Sequence, residues 1–138
     1  MLVIEAHGEA QVGSLGSQRF DGLYLYVGSG GLRRIERHRA VANGGNKSRH
    51  WHIDYLLGLG ELKCALCANV KRRPSLECAL ARELAKRAKP AIEGFGASDC
   101  RCRTHLFVGD GEAVVSEAMK TLRLKPKVLK FEHYAAHN

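Results

Sequence analysis

A short stretch of the chain carries side chains that could together bind a phosphate group. Its members are Tyr24, Tyr26, Arg34, Arg37 and His38. The two tyrosines alternate with apolar residues, and this period of two indicates a strand with two unlike faces. The arginines and the histidine are spaced three and four residues from Arg34, so they share one surface of a helix. The stretch therefore predicts a phosphate-handling site at one edge of a sheet.

The turn between these two elements is rich in glycine and has the sequence Gly28-Ser29-Gly30-Gly31. Glycine allows the backbone to approach a ligand closely, and the N-terminus of the helix that follows favours anions. Leu32 and Ile35 lie on the other side of that helix and predict its core-facing surface. The turn and the helix would therefore meet a phosphate from the same direction.

The rest of the chain predicts the elements that position these residues, within a single domain over residues 1–138. Apolar alternation predicts strands over residues 2–7, around 10–12 after a turn at Gly8, over 22–28 and over 61–70. Helices are predicted from about residue 31, over 49–57, from 75 to about 88 and over 114–122, and a compact loop over 94–107 runs into a strand. Residues 110–138 would add the last of these helices and an edge strand over 128–134, whose lysines would protect the edge or contact a substrate.

The segment around Trp51 has two interpretations. Helical spacing makes His50 and Asp54 neighbours, so this pair, or His52, would contact a substrate or a metal ion. Alternatively, the polar side chains form a network that holds the segment in place around Trp51. We slightly favour the network, because neighbouring histidine and aspartate residues are also common in structural roles.

The chain contains five cysteines, and in a reducing compartment we expect free thiols. Cys64 and Cys67 lie three residues apart on a predicted strand. This spacing sends the two thiols to opposite faces and argues against a zinc knuckle.

A second group of potential metal ligands consists of Cys100, Cys102 and His105. Their spacing lacks an obvious fourth ligand, whereas zinc patterns usually pair two such clusters. We therefore favour thiols that pack beneath the site over a structural zinc ion. Asp99 and His105 would make hydrogen bonds.

Composition limits the class of partner. The chain has 138 residues, a formal net charge of +8 and a pI of about 9.5. This excess of positive charge favours an anionic partner, nucleic acid before a membrane, although a basic soluble surface is the alternative. No apolar run approaches the length of a membrane span and the N-terminus does not resemble a signal peptide, so we expect a cytoplasmic protein.

Lys71-Arg72-Arg73 forms a basic connector ahead of the helix at residue 75. It would be either a solvated loop or a set of phosphate contacts. In the second case it would position a nucleic acid without reading its bases.

Residues 24–38 resemble the second half of the GIY-YIG nuclease motif, with Tyr26-Val27-Gly28 in the place of the YIG word. In that family an arginine follows in a helix, with a histidine four residues later, and Arg34 and His38 match these positions. The whole chain more closely resembles the Uri-type branch of the superfamily, which occurs in archaea and bacteria. The matching segments cover residues 1 to about 108 and include 24–38, 50–57, 77–81 and 94–107.

Glu77 matches the metal-binding glutamate of the family, in the pattern Glu77-x-x-Leu80-Ala81. Magnesium and manganese prefer oxygen ligands, and magnesium keeps most of its waters, so one carboxylate and a substrate phosphate can suffice. A glutamate in a first helical turn is also favoured by the helix dipole without any metal. The family has a further tyrosine in its first strand, and in this alignment that tyrosine would precede Met1.

The resemblance implies a small α/β (α+β) fold with a central antiparallel sheet of about three strands flanked by helices, and a nuclease that hydrolyses phosphodiester bonds. Tyr26, Arg34, His38 and Glu77 would be catalytic, with Glu77 holding one Mg²⁺ or Mn²⁺ ion. Tyr24 would partly replace the missing first tyrosine. The nucleic acid, DNA rather than RNA, would contact Gly28, Ser29, Arg33, Arg37, His52, Lys71, Arg72 and Arg73.

Two alternatives stay open. The same fold and basic surface would form a catalytically impaired module that binds nucleic acid without cutting it, and the missing first tyrosine favours this interpretation. A small interaction domain stabilised by a metal ion on its cysteines would instead contain bound zinc. Because related domains occur joined to repair modules, the resemblance also implies a role in DNA repair or processing, with repair proteins as partners.

Overall fold

The computed structural model describes residues 1–45, 49–68, 70, 74–97, 100–109 and 111–131. Helices and strands alternate irregularly along this part of the chain. The elements are β1 (Leu2–Gln11), β2 (Ser17–Tyr26), α1 (Leu32–Ala42), α2 (His52–Leu57), β3 (Gly60–Cys67), α3 (Pro74–Ala85), β4 (Lys89–Pro90), β5 (Leu106–Val108), α4 (Glu112–Thr121) and β6 (Lys127–Lys130). Within these ranges, no helix has both the length and the apolar character needed to cross a bilayer.

The described strands form one antiparallel sheet in the order β4-β5-β2-β1-β3-β6. The predicted α+β class is confirmed, but the sheet is larger than the expected three strands. β1, β2 and β3 form its centre, and the short strands β4, β5 and β6 extend it on both sides. β5 corresponds to the strand predicted after the loop over 94–107, and β6 overlaps the predicted edge strand over 128–134 and lies at the edge of the sheet. β4, with two residues, is too short to show an apolar period in the sequence.

The first hairpin differs from the prediction. The sequence predicts a turn at Gly8, whereas β1 continues through this residue and pairs with β2 along its whole length. Gly8 has a φ of +125°, which glycine adopts without the strain that a side chain would cause. The chain turns instead at a 3-10 segment, Gly13–Leu15.

Two apolar cores lie on opposite faces of the sheet. Leu2 and Ile4 of β1 belong to the first core, which α1 and α2 cover, whereas Val3 belongs to the second core, which α3 and α4 cover. The same alternation separates the thiols of β3, as predicted. Cys64 is buried in the second core, and Cys67 is half-buried against the first. A residue at the end of a strand can therefore contact side chains from both layers.

Candidate active site

A cleft of about 800 Å³ lies where β1 begins and where β2 and β3 end. It crosses the rim of the sheet, so α1 contributes side chains from one layer and α3 from the other. Four of the five predicted catalytic residues line it, namely Tyr26, Arg34, His38 and Glu77. One cleft thus contains side chains from three separate elements.

Tyr24, the fifth predicted catalytic residue, is not among the residues that line the cleft. It is buried in the first core, and its hydroxyl accepts a hydrogen bond from the backbone N–H of Asp21 at 2.8 Å. Tyr24 and Tyr26 share a face of β2, as expected, but they lie roughly 7 Å apart along the strand. Of the two, only Tyr26 lines the cleft, so the geometry gives no support to Tyr24 as a replacement for the first tyrosine of the family motif.

Tyr26 ends β2, and glycines lie along both edges of its ring. A Cβ atom placed on Gly28 would lie 2.9 Å from the ring Cε2 atom, and one on Gly96 would lie 3.0 Å from Cε1. The ring also packs edge-on against Phe95, with 6.1 Å between centroids. Burial, and after it the charge of Glu77, raises the pKa of Tyr26 to about 12. Its hydroxyl is therefore protonated at neutral pH and can donate a hydrogen bond.

Arg34 connects the glycine-rich turn to Trp51. Its Nη1 atom donates a hydrogen bond to the carbonyl oxygen of Ser29 at 3.0 Å. Its guanidinium carbon lies 4.6 Å from the centroid of the Trp51 ring. Gly30 has a φ of +125°, and a Cβ atom there would lie 2.9 Å from two side-chain carbons of Arg34. The turn therefore needs glycine at this position to pack against the arginine.

Asp54 anchors the segment that carries Trp51. It is fully buried and accepts hydrogen bonds from Nη1 and Nη2 of Arg37, at 2.7 and 3.0 Å. The backbone N–H groups of His50 and Trp51 also donate to it, at 2.7 and 2.9 Å. Burial opposes ionisation of Asp54, but these hydrogen bonds outweigh it and lower its pKa. Of the two interpretations of this segment, the geometry agrees with the structural network.

Arg37, which the sequence predicts to contact nucleic acid, is not among the residues that line the cleft. Its guanidinium is paired with Asp54 and lies 4.5 Å from the centroid of the Trp51 ring. Through these contacts Arg37 holds Trp51 beside the cleft.

His38 lies on α1, beside Trp51, and lines the cleft. It is buried, and in the described part of the chain its Nδ1 is a buried side-chain atom without a hydrogen-bond partner. Burial lowers its pKa to about 4; the charge of Asp54 opposes this shift, and the charges of Arg37 and Arg34 add to it. The imidazole is uncharged at neutral pH and offers one donor and one acceptor.

This shift predicts a loss of stability in acid. The folded-state pKa of His38, about 4, lies below its ordinary value of 6.5, so the unfolded chain binds the proton first as pH falls. The stability that the neutral imidazole contributes is complete above pH 6.5 and is lost progressively towards pH 4. By about pH 5 the free energy of unfolding should have fallen by on the order of 2 kcal/mol for this reason. Between neutral pH and pH 5, the free energy of unfolding in urea should fall by about this much more in the parent than in His38→Gln. Equal decreases in the two proteins would contradict the assignment.

Glu77 lies in the first turn of α3, is half-buried and faces the cleft from the second layer. None of the residues that the structure describes makes a hydrogen bond or ion pair with its carboxylate. A carboxylate without a partner among the described residues, in a cleft of about 800 Å³, leaves room beside it for water and phosphate oxygens. Carboxylate, water and phosphate oxygens are the hard ligands that Mg²⁺ and Mn²⁺ prefer, so Glu77 fits such an ion.

His52, which the sequence predicts to contact nucleic acid, is not among the residues that line the cleft. Its Nδ1 accepts a hydrogen bond from the backbone N–H of Gly96 at 2.8 Å, and its ring lies 5.5 Å from that of Phe95. Burial lowers the pKa of His52 and favours the neutral form that can accept this bond. The residue holds the loop that supports Tyr26.

The other residues predicted to contact nucleic acid have different locations. Gly28 and Ser29 line the cleft, whereas Arg33 is exposed on α1 outside its lining. Lys125 and Lys127, which precede the predicted edge strand, also line the cleft. Residues outside the described ranges include the predicted connector Lys71, Arg72 and Arg73.

A cluster of potential metal ligands lies beside the cleft. Cys78, which follows Glu77 on α3, approaches Cys100, Cys102 and His105, and the ligand atoms of these four residues lie within 4.8 Å of one another. The spacing of Cys100, Cys102 and His105 lacks an obvious fourth ligand, but in the structure Cys78 of α3 lies beside them. Burial and the neighbouring thiols raise the pKa of Cys102. The predicted hydrogen bonds of Asp99 fall outside the described residues.

Comparison with known proteins gives one relationship. A search of curated proteins and a search of solved structures each returned no match. A family model described as "Domain of unknown function DUF123" matches residues 1–125, which include Tyr26, Arg34, His38, Glu77 and the cysteine cluster. Because this match covers most of the 138 residues, the chain belongs to the DUF123 family.

Proposed function

We propose that this DUF123 domain is a divalent-metal-dependent endonuclease of the GIY-YIG type that hydrolyses phosphodiester bonds in nucleic acid. One observation carries the proposal: Tyr26, Arg34, His38 and Glu77 line a single cleft. These are the residues that the sequence resemblance matches to catalytic positions, and they come from three elements in two layers. The net charge of +8 would attract the phosphates of the substrate.

Glu77 and Arg34 face the cleft from opposite layers and would act on the phosphate. Glu77 would hold one Mg²⁺ or Mn²⁺ ion, which supplies positive charge against the phosphoryl and leaving oxygens. Arg34 is always protonated and would donate hydrogen bonds to the phosphate oxygens as their charge develops. Ser29 and Trp51 fix its guanidinium in advance, which lowers the entropy lost on binding.

Tyr26 and His38 would have different roles at the phosphate and the attacking water, because Tyr26 keeps a proton to donate and His38 is an uncharged imidazole. With a pKa of about 12, Tyr26 keeps its proton and would donate to the phosphate or orient the water. His38 is uncharged, and its buried Nδ1 has no partner within the described structure. It would support the phosphate or accept a proton from the water.

A catalytically impaired nucleic-acid-binding module is the second candidate. The burial of Tyr24 favours it, because Tyr24 does not add a second tyrosine to the cleft. Both candidates bind through the same basic surface. In either form we expect a protein that acts on DNA rather than RNA, in DNA repair or processing and with repair proteins as partners; these expectations derive from the resemblance alone.

A cleavage assay separates the two candidates. The intact chain is incubated with labelled single-stranded, duplex and branched DNA and with RNA, each in magnesium, in manganese and in chelator. A nuclease should cut at least one substrate only in the presence of the divalent ion. A binding module should bind with a steep salt dependence and leave every substrate intact. Failure to bind any of them at low salt would contradict both candidates.

A further inference from the structure

We infer that Cys78, Cys100, Cys102 and His105 form a structural zinc site with three thiolate ligands and one imidazole. The ligand atoms lie within 4.8 Å of one another, and Sγ of Cys100 is 3.5 Å from Nε2 of His105. Zinc–sulfur bonds of about 2.3 Å in a tetrahedron place neighbouring sulfurs about 3.8 Å apart. The cluster therefore already has nearly the dimensions of a tetrahedral zinc site.

The ligand types select zinc over the ions proposed for Glu77. Thiolates and imidazole are soft or borderline ligands that suit zinc, whereas magnesium and manganese prefer carboxylate and water oxygens. Four protein ligands complete a tetrahedral shell and leave no position for a substrate. The site would therefore stabilise the structure and take no direct part in catalysis.

Packing of thiols alone does not explain this convergence. Cys64 gives an internal comparison, because it is buried in the second core outside the cluster, and its Sγ lies 3.7 Å from Oε2 of Glu112. The cluster instead collects ligands from α3 and from the segment before β5. Its three cysteines are half-buried, which leaves an ion a path of entry.

His105 is held from outside the cluster. Its carbonyl oxygen accepts a hydrogen bond from the backbone N–H of Val27 at 2.9 Å, and its own N–H donates to the carbonyl of Phe95 at 2.9 Å. These two bonds fix the backbone that carries the imidazole before an ion binds.

The zinc ion would join α3 to the end of β2, where Tyr26 lies. Cys78 directly follows Glu77 on α3, and His105 pairs with Val27, which directly follows Tyr26. The site would thus fix the position of the Glu77 carboxylate relative to the Tyr26 hydroxyl. This inference stands whether or not the cleft cuts nucleic acid.

The test uses the full chain, purified under reducing conditions without chelator. Elemental analysis should find about one zinc ion per chain, and cobalt exchanged into the protein should give the visible and thiolate charge-transfer bands of a tetrahedral site with three thiolates. Cys78→Ser should lose most of the zinc, whereas Cys67→Ser, a half-buried cysteine outside the cluster, should keep it. Removal of zinc from the parent should lower Tm by more than about 5 °C.

Either of two results would overturn the inference. One is a reduced parent protein that contains no zinc and shows no cobalt–thiolate bands. The other is a Cys78→Ser variant that binds zinc as tightly as the parent. If Cys78→Ser does not fold, the cobalt spectrum of the parent still reports the number of thiolates. These measurements use no nucleic acid, so their failure is distinguishable from a failure of the proposed nuclease.

Discussion

Glu77→Gln should reduce metal-dependent cleavage by on the order of a hundredfold or more while the fold stays intact. Glutamine keeps the shape of the side chain but removes the negative charge that would bind the cation. Because no described residue pairs with this carboxylate, the change breaks no described interaction that supports the fold. Measuring kcat/KM in excess magnesium, together with Tm, tests both statements.

The same variant has a second readout inside the cleft. The charge of Glu77 contributes to the raised pKa of Tyr26. Glu77→Gln should therefore lower the pH at which Tyr26 ionises in an ultraviolet titration, and this measurement needs no substrate. An unchanged titration would mean that the two side chains do not face each other.

Glu83 offers a matched control on the same helix. It lies outside the cleft and forms ion pairs with Lys86 and Arg87, at 2.8 and 3.0 Å. Glu83→Gln makes the same chemical change and should cut like the parent, because Glu83 does not line the cleft. Equal losses in both variants would mean that net charge, and not a cation site at Glu77, controls the rate.

The largest loss of stability is expected from breaking the pair of Arg37 and Asp54. Asp54→Ala should cost about 3–5 kcal/mol, because it leaves a largely buried guanidinium without its carboxylate. It also removes the acceptor of the backbone N–H groups of His50 and Trp51. Urea unfolding measures the loss, and nucleic-acid binding should weaken with it, since Trp51 no longer has its anchor.

A double-mutant cycle distinguishes this pair from general disruption. Asp54→Asn keeps an acceptor for the two backbone N–H groups, and Arg37→Met removes the charge while filling similar space. The double variant should be more stable than the sum of the single losses predicts, because no unpaired charge remains. Arg33→Met, an exposed arginine on the same helix, should leave stability nearly unchanged. Additive losses at positions 37 and 54 would show that the two side chains act independently.

The relative positions of side chains within a single helix or strand could be predicted from the sequence. The positions of Tyr26 at a strand end and of Arg34 and His38 four residues apart on a helix follow from backbone periods alone. In the structure Tyr26 lies on β2 and Arg34 and His38 lie on α1, and all three side chains line the cleft. The separation of Cys64 and Cys67 by the pleat of β3 is another case.

The features that the sequence did not yield depend on contacts between distant segments. Cys78 joins the cysteine cluster from α3, whereas ligand patterns in a sequence consider spacing between near neighbours. Tyr24 and Tyr26 share a face of β2, but only the fold shows that Tyr24 is buried in the core whereas Tyr26 lines the cleft. Trp51 lies beside Arg34 only because Asp54 and Arg37 hold it there.

The location of the cleft on the rim of the sheet bears on how its specificity could diverge within the family. Arg34 and His38 are supported by the first core, whereas the helix that carries Glu77 is supported by the second. Close-packed interiors transmit a change of volume mainly to the elements packed on them. Substitutions beneath α3 would therefore shift the carboxylate and leave the arginine and histidine in place. The width of the cleft, and with it the substrates that fit, could change through repacking of one layer, without any change in the residues that line it.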